Sequence, residues 1–190
     1  NPDANYASRI KTLVAALAKY PSCKLLLLST IGVFGASQGI VNEESVPEPD
    51  SISGQQLLKA EKSIQTSTNQ ASIVRLGGLI GGKRHPAKQL AGRTNLSAPK
   101  APTNLVHQED VVRFLMAVIE EGHWGKILHC VSPVHHQRAY FYTQACEHLN
   151  LPLPSFSKMA SKRNKKVIDS SSAVLFGFVY RLANCGVKRS

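Results

Sequence analysis

Four leucines in succession, Leu25-Leu26-Leu27-Leu28, preceded by Cys23-Lys24 and followed by Ser29-Thr30, constrain the fold more than any other feature of this chain. The run is far too short to span a bilayer, which takes about 20 apolar residues; it has the length of a strand. Its apolarity is continuous rather than alternating, which predicts a strand buried on both faces, as in a parallel sheet. A second β-rich run, Ala71-Ser72-Ile73-Val74-Arg75-Leu76, leads into the glycine-rich Gly77-Gly78-Leu79-Ile80-Gly81-Gly82, whose spacing reads as loop and turn. Lys126 to Val131 predicts a third strand.

Helical periodicity separates these runs. Tyr6, Ile10, Leu13, Val14 and Leu17 predict an amphipathic helix from Tyr6 to Lys19, broken by Pro21-Ser22. Leu57, Leu58, Ala60, Glu61 and Ile64 place a second helix over Gly54 to Thr66. Val111, Phe114, Leu115, Val118 and Ile119 share one face of a third, Asp110 to Glu121, and Gln137 to Leu149 reads as a fourth. Helices alternating with buried strands define an α/β sheet with crossover helices.

With 43% hydrophobic and 18% charged residues the chain is globular rather than disordered. Its net charge of +11 is uneven: residues 83–100 carry five cations and no acid, and residues 151–190 carry eight cations and one acid. Such clusters suit either a solvated surface or an anionic ligand. Neither residues 83–100 nor the run Lys162-Arg163-Asn164-Lys165-Lys166 holds an aromatic side chain for stacking on bases, which argues against sequence-specific nucleic-acid binding. Cys23, Cys130, Cys146 and Cys185 are scattered without a C-x-x-C pair, and Asn1-Pro2-Asp3 has no signal-peptide character, so a reduced cytoplasmic setting without membrane contact is expected. His129, His135, His136 and His148 lack the spacing of a metal site, since the neighbours His135 and His136 point apart on a regular element. Gly35-Ala36-Ser37-Gln38-Gly39 has the letters of a hydrolase nucleophile elbow but runs into a polar loop instead of a helix.

Three segments, in order, resemble the later two-thirds of an extended short-chain dehydrogenase/reductase of the NAD(P)-dependent epimerase/dehydratase family. Leu28-Ser29-Thr30-Ile31-Gly32-Val33-Phe34-Gly35 is similar to the strand-end motif S-S-T-x-V-Y-G. Arg75-Leu76-Gly77-Gly78-Leu79-Ile80-Gly81 is similar to R-x-x-N-x-Y-G, and Asn104 to Val112 to N-x-I-H-V-D-D-L-A. The resemblance implies a partial Rossmann-like parallel sheet with crossover helices and a small C-terminal substrate-lobe region, with the N-terminal strands absent. Residues 1–82 would be the C-terminal half of the Rossmann-like domain. Residues 83–190 would mix substrate-lobe segments with a returning strand and helix at about 104–150 and a basic tail at 157–190.

The resemblance also implies site residues. Thr30 takes the place of the hydroxyl that orients the reacting oxygen, although a strand-end threonine can equally satisfy its own backbone. Ser29, Leu76 and Gly77 fall at cofactor-contacting positions, and Gly78, Lys83, Arg84 and His107 at substrate-contacting ones, where the cations would pair with phosphate. The implied cofactor is NAD or NADP, the substrate a nucleotide-linked small molecule, and no metal is expected. Asp110 is expected to cap backbone N–H groups at a helix start rather than to act chemically.

Two departures stand out. The G-x-x-G-x-x-G phosphate loop is missing, so the resemblance implies that the chain is expected to be a fragment whose exposed sheet edge a second copy or the missing amino-terminal half would cover. The Tyr-x-x-x-Lys dyad is replaced by Ser53 and Leu57, with Lys59 displaced by two positions, about 200° round a helix. Ser53 cannot ionise near neutrality, and Phe34 removes a further hydroxyl. A catalytically silent dinucleotide-binding sensor or scaffold is therefore the alternative to an oxidoreductase.

Overall fold

The computed structural model describes residues 5–66, 70–82, 84–158, 166–175 and 177–183. Lys83, Cys185 and the run 162–165 lie outside the described residues. Three strands, β1 (Leu25–Thr30), β3 (Ala71–Leu76) and β6 (Ile127–Cys130), form a parallel sheet in the order β1-β3-β6. Leu25 is in register with Ala71 and Thr30 with Leu76, while Arg75 pairs with His129 and Leu76 with Cys130. All three strands thus end together at one edge, the place where α/β sheets bind ligands.

Helices cover both faces. Ile10 and Val14 of α1 (Tyr6–Leu17) and Ile64 of α2 (Ile52–Gln65) pack on Leu27, Ala71 and Ile73. On the opposite face Val111, Phe114 and Val118 of α4 (Gln108–Glu120) pack on Val74, Leu128 and Cys130. The central strand β3 is buried along almost its whole length, its two polar residues Ser72 and Arg75 included. β1 departs from expectation. Leu27 and Ser29 face α2 and are buried, but Leu28, on the other face, is 47% exposed. Among the described residues α4 reaches β3 and β6, and β1 hydrogen-bonds on one side only, to β3.

The glycine segment after β3 also differs from the expected loop. Gly78–Ile80 is a strand, β4, parallel to β5 (Leu105–His107). A partner more than twenty residues downstream leaves no local signal, so the pairing is invisible to periodicity. Gly77 and Gly78 let the backbone pass close to Asn104: a Cβ on Gly77 would lie 3.0 Å from the Asn104 carbonyl oxygen. A small lobe forms here, in which Ile80, Leu105 and Ala87 of α3 (Ala87–Leu90) pack against Phe141, Ala145 and Cys146 of α5 (Arg138–His148).

Three short elements complete the described residues, β2 (Ile40–Val41) pairing in parallel with β7 (Val167–Ile168), and α6 (Ser171–Leu175). Beyond α6 the chain is drawn back over α4. Asp110, 1% exposed, accepts hydrogen bonds from the backbone N–H groups of Arg181 (3.0 Å) and Leu182 (2.9 Å). The expected capping role is therefore exercised on a distant segment, while His107 caps α4 by accepting from Glu109 N at 3.3 Å. Among the described residues no helix is long and apolar enough to cross a membrane.

Candidate functional site

The carboxyl end of β1 is built around backbone groups. Thr30 Oγ1 accepts from Gly32 N at 3.1 Å and caps a 3₁₀ turn, Ile31–Val33. The amino end of α2 is pressed against this turn: Ser51 Oγ caps Gly54 N at 3.1 Å, and a Cβ on Gly54 would lie 2.4 Å from the Gly32 carbonyl oxygen. Only glycine permits that approach. Ser53 is exposed on the first turn of α2, whereas Leu57 turns inward onto the apolar cluster of Val33, Phe34, Val41, Val131 and Ile168. Lys59 is exposed. Position 57 is thus closed by hydrocarbon.

Beneath the turn lies a buried ion pair. Glu61 and Arg75, 0% and 2% exposed, meet through Arg75 Nη2 to Glu61 Oε2 at 2.7 Å and Arg75 Nε to Glu61 Oε1 at 3.1 Å. Ser29 Oγ donates to Glu61 Oε1 at 2.6 Å. The Arg75 guanidinium also lies over the Phe34 ring, 5.0 Å from its centroid. This group holds α2 to β1 and β3.

The sequence-predicted contacts are only partly brought together. Ser29 is committed to Glu61, because odd-numbered residues of β1 face α2 and not the strand ends. Leu76 packs into the apolar layer under α4. Gly77 N donates to Cys130 O and Gly78 N to Asn104 O, so both amides serve the sheet. Arg84 is exposed, and its backbone forms a tight bridge with Gly81. His107 is held as a helix cap, and Gly81 backs onto its ring. Thr30 and Ser53 remain at the β1 and α2 ends of the sheet edge.

A cavity of about 430 Å³ opens beside that edge, lined by Ala36, the stretch 101–105, Arg138, Tyr142 and Lys166. Lys166 was legible only as the last residue of a basic run, yet its Nζ donates to the carbonyls of Phe34 (2.7 Å) and Ile31 (3.0 Å) at the β1 turn. Asn104 orients it: its Nδ2 donates to Lys166 O at 2.8 Å and its Oδ1 accepts from Ile168 N at 2.9 Å. Burial draws the Lys166 ammonium below its ordinary range, with Asp50 opposing. Tyr142 also lines the cavity. Burial pushes its phenol upward, and the cation that opposes this is Arg138, whose guanidinium stands 6.0 Å from the ring centroid.

The histidines near the site pack among neighbouring rings and backbone groups, and among the described residues His136 Nε2 is buried without a hydrogen-bond partner. His136 O accepts from Thr103 N and Oγ1, and His135 Nδ1 lies 3.0 Å from Thr103 O. Phe141 is stacked against both His85 and His136. Among the described residues no group of three or more His, Cys, Asp or Glu side chains could hold a metal ion. Burial holds the imidazoles of His129, His85 and His136 below 6.5. The folded chain therefore resists protonation that the unfolded chain accepts, so stability falls as pH drops through and below about 6.5. Urea unfolding at pH 7.5 and 5.5 is expected to show this loss, and His129→Asn, which keeps a donor toward Asp169 O, is expected to shrink it. An unchanged pH slope in that variant would show that His129 does not contribute.

No protein-family model matches the chain. Protein YeeZ of Escherichia coli strain K12 is 31% identical over 172 residues, covering 89% of this chain and 62% of that protein, so the chain spans less than two thirds of its curated relative. A functionally unknown conserved protein from Silicibacter pomeroyi superposes with a TM-score of 0.78 at 21% identity, covering 97% of this chain and 73% of the other. UDP-glucuronic acid 4-epimerase from Bacillus cereus, in complex with UDP-glucuronic acid and NAD, gives 0.78 at 17% identity over 95% of this chain and 63% of its own. dTDP-4-dehydrorhamnose reductase from Bacillus anthracis, in complex with NADP, gives 0.70 at 19% identity over 90% and 65%. Helices on both faces of a parallel sheet, together with these superpositions, establish a partial Rossmann-like α/β fold.

Proposed function

We propose that this chain is the carboxyl-terminal part of an NAD(P)-dependent oxidoreductase of the sugar-nucleotide epimerase and dehydratase type, working in the cytoplasm on a nucleotide-linked substrate. The observation that carries the reading is the cavity outside the carboxyl ends of a parallel sheet, in a fold whose solved neighbours hold UDP-glucuronic acid with NAD and, separately, NADP. In this reading residues 1–82 form half of the dinucleotide domain and residues 83–190 supply the substrate lobe. Thr30 Oγ1 accepts from Gly32 N, which leaves its own hydrogen to give to a reacting oxygen.

The cofactor's pyrophosphate finds no cradle among the described residues. Gly77 and Gly78 lead into β4 and use their amides within the sheet, and no helix begins there to receive a phosphate. Strand–helix units outside this chain would have to bind it, and the open side of β1 is where they would join. The inward-turned Leu57 and exposed Ser53 favour a second reading, a protein of this fold that binds a dinucleotide without performing proton transfer.

The test is titration of a protein of the relatives' full length with NAD(H) and NADP(H), followed by fluorescence. Saturable binding to the longer protein and none to the 190-residue chain is expected. No saturable response from either cofactor would end both readings. Binding without turnover of any nucleotide-sugar tried would select the silent one, and loss of turnover in Thr30→Ala would select the enzyme.

A further inference from the structure

We infer that Lys166 and Arg138 form an oxyanion-binding pair in the cavity, taking a ligand that carries a phosphate or a carboxylate. The inference rests on the same cavity as the proposed function and names the ligand chemistry of that site; it needs no dinucleotide, so its failure and the failure of that reading are distinguishable.

Among the described residues the cavity is lined by two cations and no acid. They arrive from elements distant in sequence: Arg138 opens α5, and Lys166 precedes β7. Lys166 gives two of its three N–H donors to Ile31 O and Phe34 O, which leaves the third for the cavity its side chain borders. A partly buried ammonium has lost much of its hydration, and carbonyl partners return dipoles but no countercharge. Asp50, the acid that acts on Lys166, has one carboxylate oxygen engaged with Ala36 N at 3.0 Å. A ligand oxyanion would add countercharge that the two carbonyls do not give.

Both cations are held before any ligand arrives. The Asn104 clamp on Lys166 O and Ile168 N fixes the backbone that carries Lys166. Arg138 Nη1 donates to Ser97 O, and its guanidinium lies against two rings, 5.8 Å from the Phe156 centroid and 6.0 Å from that of Tyr142. One of the five guanidinium donors is used in that bond, and the planar group can present others to an oxyanion. Preorganised donors lose little freedom on binding. By contrast, the basic run read from the sequence presents Arg84 on the exposed surface, engaged with Gly81 only through its backbone.

The test uses the 190-residue chain and three probes at constant ionic strength: inorganic phosphate, pyrophosphate and malonate. Calorimetric titration is expected to show saturable binding of at least one. Lys166→Met and Arg138→Met should each weaken it by about tenfold or more, the loss of one charge-assisted bond. Lys100→Met, which removes an exposed charge, should leave it within about twofold. Tighter pyrophosphate identifies a phosphoryl ligand and tighter malonate a carboxylate. A second measurement needs no variant: the best-bound probe should slow acetylation of Lys166 in the unaltered chain and leave Lys100 unaffected, as read by peptide mass spectrometry. Absence of saturable binding overturns the inference, as does equal weakening by Lys100→Met, or acetylation of Lys166 that no probe slows.

Discussion

Glu61→Ala will lower the unfolding free energy by about 3–5 kcal/mol, the penalty for leaving a buried charge without its partner. Arg75 is 2% exposed and meets Glu61 through two of its nitrogens, while its Nη1 is buried without a hydrogen-bond partner. Removing the carboxylate leaves the buried guanidinium without its ion-pair partner, and it also strips Ser29 Oγ of its acceptor. Urea denaturation at constant pH measures the loss. The double variant Glu61→Leu with Arg75→Met should recover most of it, since apolar side chains of similar volume often replace buried ion pairs without penalty. A loss below about 1 kcal/mol for the single variant would mean that the pair is solvated, as surface pairs are.

Asp110→Ala is expected to cost about 2–4 kcal/mol, because one carboxylate serves three donors and bonds to a charged group are worth roughly 1.5–3 kcal/mol each. Those donors are Arg181 N, Leu182 N and Arg113 Nη1, the last at 2.9 Å. The strap they secure carries Phe178 and Tyr180 onto the apolar layer beside Phe114, and Tyr180 Oη accepts from Val131 N at 3.1 Å. Hydrogen exchange at the amides of Arg181 and Leu182 should accelerate well beyond that in β3. If exchange there is unchanged, the aromatic contacts alone hold the strap and the carboxylate is dispensable.

The sheet was legible because its signals are local. Ala71–Leu76 could be read to the residue, and the helices containing Leu57 and Phe114 followed from their own periodicity. What escaped is what depends on a distant partner. β4 exists because Gly78 meets Leu105, and β2 because Ile40 meets Val167. The candidate site shows the same division. Thr30 and Ser53 were singled out by resemblance and lie at the ends of β1 and α2, whereas Lys166 borders the cavity through a clamp from Asn104, 62 residues earlier, which no spacing rule reaches. Asp110 shows the intermediate case: its type and position announced a backbone-capping role, but only the folded chain shows that the amides belong to residues 181 and 182. Ser29 shows the converse, since one residue's shift along a strand reverses the side it faces and turns an apparent cleft hydroxyl into an interior one.

The outer side of β1 bears on any work with this polypeptide in a test tube. Main-chain groups that meet no neighbouring strand can accept one from any molecule, since such pairing asks nothing of side-chain identity. Beside them Leu28 offers an apolar surface to whatever arrives. Self-association should therefore rise with protein concentration, and light scattering across a dilution series belongs with every affinity or stability measured on the isolated chain.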